Sequence, residues 1–346
     1  MERSTVLKRA MFIGVLTASF SVSAFEALPG KVPVPEDNPQ TQAKIELGKQ
    51  LYFDPRLSID GTVSCNSCHN VMSSGTDNRP TSVGINGLRG GRNAPSVWNA
   101  AYLSAQFWDG RAATLEDQAK GPPLNPIEMG MPSEEAVEAR LKSIPGYVKQ
   151  FASVFGGNFP VTYDNMAKAI ASFERTLITP SSPVDRYVEG DKSALTEKAV
   201  RGMQLFESVG CVACHSGANY SGPELSMGEG FYQKFPTFPS QYDQKYKLSE
   251  DKGRFESTGD QADINMWRVP TLRNVALTAP YFHNGSVETL PEAVRVMAKV
   301  QLNRDLQEDE VDALVAFLNG LTGEFPEIAM PRLPDTENSS LVGSIK

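Results

Sequence analysis

The stretch Ser64–Asn70 reads SCNSCHN, and Gly210–Gly217 reads GCVACHSG. Each holds a Cys-x-x-Cys-His run, Cys65–Cys68–His69 and Cys211–Cys214–His215. Together they use all four cysteines and two of the three histidines in the 346-residue chain. Two thiols separated by two residues match the spacing of the vinyl groups on a porphyrin edge, and the imidazole that follows can ligate the iron. This is the attachment pattern of c-type haem. Zinc or a redox dithiol is the rival for a single Cys-x-x-Cys, but a histidine directly after both pairs counts against it. The expectation is two covalently bound c-type haems.

Outward from these motifs the chain repeats itself. Ala94–Ala119 (APSVWNAAYLSAQFWDGRAATLEDQA) aligns without a gap on Val269–Val294 (VPTLRNVALTAPYFHNGSVETLPEAV) at a constant offset of 175 residues. Pro95 meets Pro270, Asn99 meets Asn274, Phe107 meets Phe282, and Gly110 meets Gly285. Upstream, LGKQLY at Leu47–Tyr52 resembles RGMQLF at Arg201–Phe206. A fixed-offset repeat of this kind marks a duplicated unit. Met166, Ile170, Phe173 and Leu177 keep helical spacing in the first copy, and Val311, Leu314, Val315, Leu318 and Leu321 in the second. Pro180 and Gly323 follow as stop signals. Gly48 and Gly202, each four residues before an aromatic, would let the early helix of each copy cross another closely.

The fold class expected is mostly α: two tandem cytochrome c-like haem domains with long loops and little sheet. Residues 25–180 form the N-terminal domain and 181–323 the C-terminal one, joined near 179–196, with an extended tail over 324–346. Residues 73–92 and 216–261 read as loops over the haem edges. Arg3, Lys8 and Arg9, then an apolar-leaning run over 10–20 and the small residues Val22-Ser23-Ala24, have the three-part layout of a secretory signal, so 1–24 is read as a cleaved signal peptide. The run is shorter than the roughly 18 residues of a membrane span, which disfavours an uncleaved anchor. With 33 Lys+Arg against 41 Asp+Glu, the net charge of −8 excludes nucleic acid as the main partner. Removing 1–24 leaves 30 basic and 40 acidic residues. Export places the protein in the periplasm.

The two copies differ where it matters. Met297, 82 residues after His215, lies on a helical pattern and suits the sixth position of an electron-transferring haem, although a methionine also fills core gaps. Its counterpart at the repeat offset is Pro122, and the remaining histidine, His283, belongs to the second copy. Met72, Met129 and Met131 match no repeat position. The simplest reading is a first haem with an open sixth site, able to bind a small molecule. Glu128, in the Pro-rich segment GPPLNPIEMG, could serve as a general acid–base over that site or be a solvated loop carboxylate. Trp108 occupies the position of His283; the residues alone leave it between an electron relay and an interface filler.

LGKQLYFDPRLS, SCNSCHN, TDNRPTSVG, AQFWDGRA, NPIEMGMP, GCVACHSG, VPTLRNVALTAPYFHNGS and VQLNRDL, spread from Leu47 to Thr322, resemble the bacterial dihaem cytochrome c peroxidases. The resemblance implies reduction of hydrogen peroxide to water with electrons from a small periplasmic cytochrome c or cupredoxin. It implies that His69 ligates the peroxidatic haem, while His215 and Met297 ligate the electron-transferring one. Glu128 corresponds to the distal acid–base, with Gln118 beside it, and Trp108 to the tryptophan between the haems. It also implies a calcium ion held by Asn93 and the carbonyls of Thr278 and Pro280, and a homodimer. One position departs: Ile85 follows Thr81-Ser82-Val83-Gly84, where many members carry a histidine that blocks the peroxidatic iron until the other haem is reduced. The resting first haem is therefore expected to be open without reductive activation. Two alternatives remain. One is a non-catalytic dihaem electron carrier, against which Pro122 speaks. The other is a protein-modifying oxidase like the dihaem enzyme of tryptophylquinone maturation, which has Tyr where this chain has Met297.

Overall fold

The computed structural model describes residues 25–337 and residue 340; the expected signal peptide, 1–24, lies outside them. Helices dominate, and the sheet is one short antiparallel pair, Tyr232–Lys234 with Met266–Arg268 in the register Tyr232↔Arg268. The mostly helical, sheet-poor expectation holds.

Two crossed helix pairs organise the chain. In the first, Gln42–Phe53 packs on Tyr163–Glu174; in the second, Glu197–Val209 packs on Glu308–Asn319. Three of the four helices start on a threonine whose hydroxyl accepts a backbone N–H of the first turn: Thr41 from Lys44, Thr162 from Asn165 and Thr196 from Ala199. Gly48 lies against the backbone carbonyl of Ala169, and Gly202 against that of Ala313; a Cβ on either would overlap that oxygen. Both glycines therefore set a close backbone crossing, as their repeat position suggested. Tyr52 meets Phe173 edge-on at 5.2 Å between ring centroids, and Phe206 meets Phe317 at 5.1 Å. The late helices end at Glu174 and Asn319, so Leu177 and Leu321 stay buried beyond the helix ends.

The apolar core of the first half runs from Leu47 to Leu177, and that of the second from Val184 to Leu321 with one visitor, Phe25. The ends of the described chain cross over. Phe25 packs into the second core, and Leu28 N–H donates to Asp185 Oδ1 at 3.2 Å. Going the other way, Phe325 meets Trp98 edge-on at 4.9 Å, and Arg56 Nη1 donates to Pro334 O at 2.9 Å. Over 324–337 the chain carries no helix or strand and runs back against the first half. The segment 216–261 is less bare than expected, holding the strand Tyr232–Lys234 and short helices at Gln241–Tyr246 and Phe255–Thr258.

Asn99 and Asn274, equivalent in the repeat, meet where the halves join. Both have left-handed backbones (φ 63° and 59°), which asparagine tolerates better than most residues. Their Nδ2 atoms both donate to Thr179 Oγ1, at 2.8 and 2.9 Å.

Candidate functional site

Cys65 and Cys68 bound a single helical turn, which Ser64 and Ser67 close at its start with a reciprocal capping box. Cys211–Ala213 forms the matching 3-10 turn in the second half. Each following histidine is oriented by a backbone carbonyl: His69 Nδ1 lies 2.9 Å from Pro95 O, and His215 Nδ1 lies 3.1 Å from Tyr220 O. A proton on Nδ1 makes that bond and leaves Nε2 as the basic nitrogen, the usual way a protein prepares imidazole for a metal. Burial lowers the pKa of both rings and favours the neutral, ligating form.

His215, Cys211 and Cys214 line a largely apolar cavity, and Met297 lines it too. Met297 sits mid-helix on Leu290–Leu302. A paired thiol set, an oriented imidazole and a thioether around one apolar space fit a c-type haem with His/Met ligation.

The first half has no such thioether at the matching place, and the backbone explains why. The equivalent helix, Leu115–Leu124, carries Pro122 and Pro123 in its last turn and ends there, whereas Leu290–Leu302 continues beyond Met297. The turn that follows brings in Glu128. Its backbone N–H donates to Asn125 O at 3.1 Å, and Asn125 Nδ2 donates to Glu128 Oε1 at 2.9 Å. Burial raises the Glu128 pKa, opposed by Arg111. It lies near enough to the first Cys-x-x-Cys pair for its charge to push up the pKa of both thiols. Gln118 is half-buried on Leu115–Leu124, and among the described residues no hydrogen bond joins it to Glu128.

Ile85 is buried. Its N–H donates to Glu128 O at 3.0 Å, and its side chain fills the space beside Gly130, where φ is +68°. Gly84 permits this seat, since a Cβ there would overlap Ile127 O. The strap that carries Ile85 is thereby pinned to the Glu128 loop. Met129 and Met131 are core residues of the first half, and Met72 is exposed.

Trp108 stands between the halves. It belongs to the first copy, yet it lines the second cavity, and its Nε1 donates to Asn93 O at 2.9 Å. Asn93 also donates through its backbone N–H to His283 O and through Nδ2 to Arg79 O, which leaves Oδ1 as its remaining acceptor. Thr278 and Pro280 line the same wall. One amide oxygen and two carbonyls are hard donors suited to calcium, though six to eight oxygens are needed and water would have to supply the rest.

Several residues of this region carried no chemical motif. His283 stacks on Trp267 at 4.1 Å, with Arg92 4.9 Å from the Trp267 ring. Arg92 forks onto Asp251 and reaches Asp109, tying the halves together. Arg268, buried in the cavity wall, has as its repeat counterpart Asn93; that change of residue type was the one signal available in the sequence.

A family model described as di-haem cytochrome c peroxidase matches residues 42–193. The chain is 43% identical over 342 residues to a cytochrome c551 peroxidase of Nitrosomonas europaea, covering 97% of this chain and 98% of that one. It is 45% identical over 311 residues to a cytochrome c551 peroxidase of Pseudomonas aeruginosa, covering 90% and 87%. Among solved structures, a MauG-like protein associated with microbial copper homeostasis superposes with a TM-score of 0.75 at 32% identity, covering 86% of this chain and 95% of that one.

Proposed function

The chain belongs to the di-haem cytochrome c peroxidase family, and from that premise we propose that it reduces hydrogen peroxide to water in the periplasm with electrons from a small c-type cytochrome or cupredoxin. Bound haem supplies an iron that takes up peroxide where a coordination position is open and carries single electrons where none is. Cys65, Cys68 and His69 hold the first haem, and Cys211, Cys214, His215 and Met297 hold the second. Residues 25–180 and 181–323 are the two haem domains, in keeping with cores that end at Leu177 and resume at Val184.

Glu128 takes a proton from peroxide entering the first site and returns it to the departing oxygen, with Asn125 fixing the carboxylate and Gln118 nearby. Trp108 lies on the route between the halves. Asn93, Thr278 and Pro280 hold calcium on that route, and two copies of the chain associate. The division of labour rests on one observation: the helix that presents Met297 in the second half stops at Pro122–Pro123 in the first, and the turn that follows presents Glu128.

The test is to add peroxide to the fully ferric protein with a reduced small cytochrome c and follow donor oxidation. Turnover from the first addition is expected, because Ile85 cannot ligate iron and is packed beside Gly130. Ile85→His should introduce a lag. A lag in the wild type overturns the open first site, and no donor oxidation at all overturns the peroxidase reading. Likeness to the MauG-like protein, together with Ile85, favours a second reading, oxidation of a protein substrate. Met297 stands against it, since thioether ligation raises the potential of the second haem and suits it to accepting electrons from a donor.

A further inference from the structure

Arg268 is 3% exposed and lies in the wall of the second cavity. Its Nε donates to Phe107 O at 2.9 Å, and its Nη1 to Val269 O at 3.0 Å. Its backbone N–H donates to Trp108 O, also at 2.9 Å. Among the described residues no carboxylate is hydrogen-bonded to it; Asp109 is near enough for its charge to act on Arg268, but its oxygens are held by Arg92 and Arg111. Arg175 and Arg273, equally buried, each fork onto a carboxylate: Glu116 at 2.7 and 2.9 Å, and Asp185 at 3.0 and 2.9 Å. Arg140, also buried without a contacting carboxylate, is instead covered by the carbonyls of Arg56, Ser58 and Ile59.

A guanidinium taken out of water needs an anion, and its planar fork is shaped for a carboxylate. Arg268 has Nη2 and one Nη1 proton left over. It borders a largely apolar space, and the other arginine on that lining, Arg273, is already paired with Asp185. The anionic groups of haem are its two propionates. We propose that Arg268 is the counter-ion of a propionate of the second haem. It is a positioning residue that fixes that haem edge to the Phe107–Trp108 backbone of the first half. This rests on the second haem occupying the cavity lined by His215 and Met297.

The consequence is electrostatic. A fixed positive charge at the haem edge cancels the propionate charge and favours the reduced iron, adding to the effect of Met297. It also locks the haem edge to the residue through which the two halves communicate.

The test is a spectroelectrochemical titration of wild-type, Arg268→Gln and Arg268→Lys holoenzymes, each assayed for two haems per chain and for melting temperature. In Arg268→Gln the midpoint of the His/Met haem should fall by at least a tenfold change in the reduction equilibrium, about 59 mV for one electron. The first haem should be unmoved, and Arg268→Lys, which keeps the charge, should recover most of the shift. An unchanged midpoint in Arg268→Gln with both haems present overturns the proposal, as does an equal fall in Arg268→Lys. Should neither variant retain its haems, a crystal structure of the wild-type holoenzyme decides. A propionate oxygen within hydrogen-bond distance of Arg268 supports the pairing, and one lying elsewhere overturns it. Fewer than two haems per wild-type chain would instead overturn the site reading beneath the proposal.

Discussion

Asn93 and Arg268 occupy equivalent positions of the duplicated unit, and each donates its backbone N–H to the copy it faces: Asn93 to His283 O at 2.7 Å, Arg268 to Trp108 O at 2.9 Å. The acceptors, Trp108 and His283, are themselves equivalent. The join between the halves thus has a local two-fold character in its backbone, while its side chains have diverged. An asparagine, proposed here for calcium, stands opposite an arginine proposed for a propionate. One backbone frame supports two different chemistries.

Replacing Met297 should disable electron entry without touching the first site. On the proposed His/Met ligation, Met297→Ala should abolish the thioether–iron absorption and lower the midpoint of the second haem, since thioether ligation raises it. Donor-driven peroxide turnover should drop with it. A variant with wild-type potential and turnover would make Met297 a packing residue.

Glu128→Gln should lower kcat/KM for peroxide by about 10²–10⁴, the usual worth of a general acid–base. Proton acceptance needs the carboxylate, so activity should fall as pH drops through the Glu128 pKa. Burial raises that pKa, so the acid limb of the profile should lie above the ordinary value of about 4.3. Its disappearance in the glutamine variant, measured by stopped-flow across pH, ties the limb to this residue.

Glu174 predicts a pH-dependent stability. It is 6% exposed, its Oε2 has no hydrogen-bond partner, and the neighbouring Arg175 is committed to Glu116. Burial pushes its pKa up to about 8. Between the unfolded value of about 4.3 and that raised one, the native state holds a proton that the unfolded chain has released. Stability should therefore fall as pH rises through this window. Glu174→Gln removes that dependence and should gain on the wild type near pH 8 but not near pH 5, as read from urea midpoints.

Gly48→Ala and Gly202→Ala separate helix propensity from packing. Alanine gains up to about 1 kcal/mol in a helix interior. Overlap with Ala169 O or Ala313 O, which are backbone atoms and cannot rotate away, should cost more than that, about 1–3 kcal/mol net. Both variants should melt lower than Gly91→Ala, where nothing lies within 4 Å of the new Cβ.

The amino-acid sequence by itself determined the two Cys-x-x-Cys-His turns, the duplication, the helix pairs crossing at Gly48 and Gly202, and the asymmetry between Met297 and Pro122. These are local properties: motif spacing, helical periodicity and a proline that cannot continue a helix all act within a few turns of chain. The tertiary structure alone decided which carbonyls orient His69 and His215, how Ile85 pins its strap beside Glu128, and why Glu174 Oε2 has no hydrogen-bond partner. It also decided that Phe25 serves the second core while Phe325 covers Trp98 in the first. Each of those depends on burial or on partners distant in sequence, and neither can be read from spacing. Arg268 lies at that limit. Its residue type was visible as a departure from the repeat, but only the packed interface removes it from water with no carboxylate hydrogen-bonded to it among the described residues, because the cost of a buried charge is a property of its surroundings.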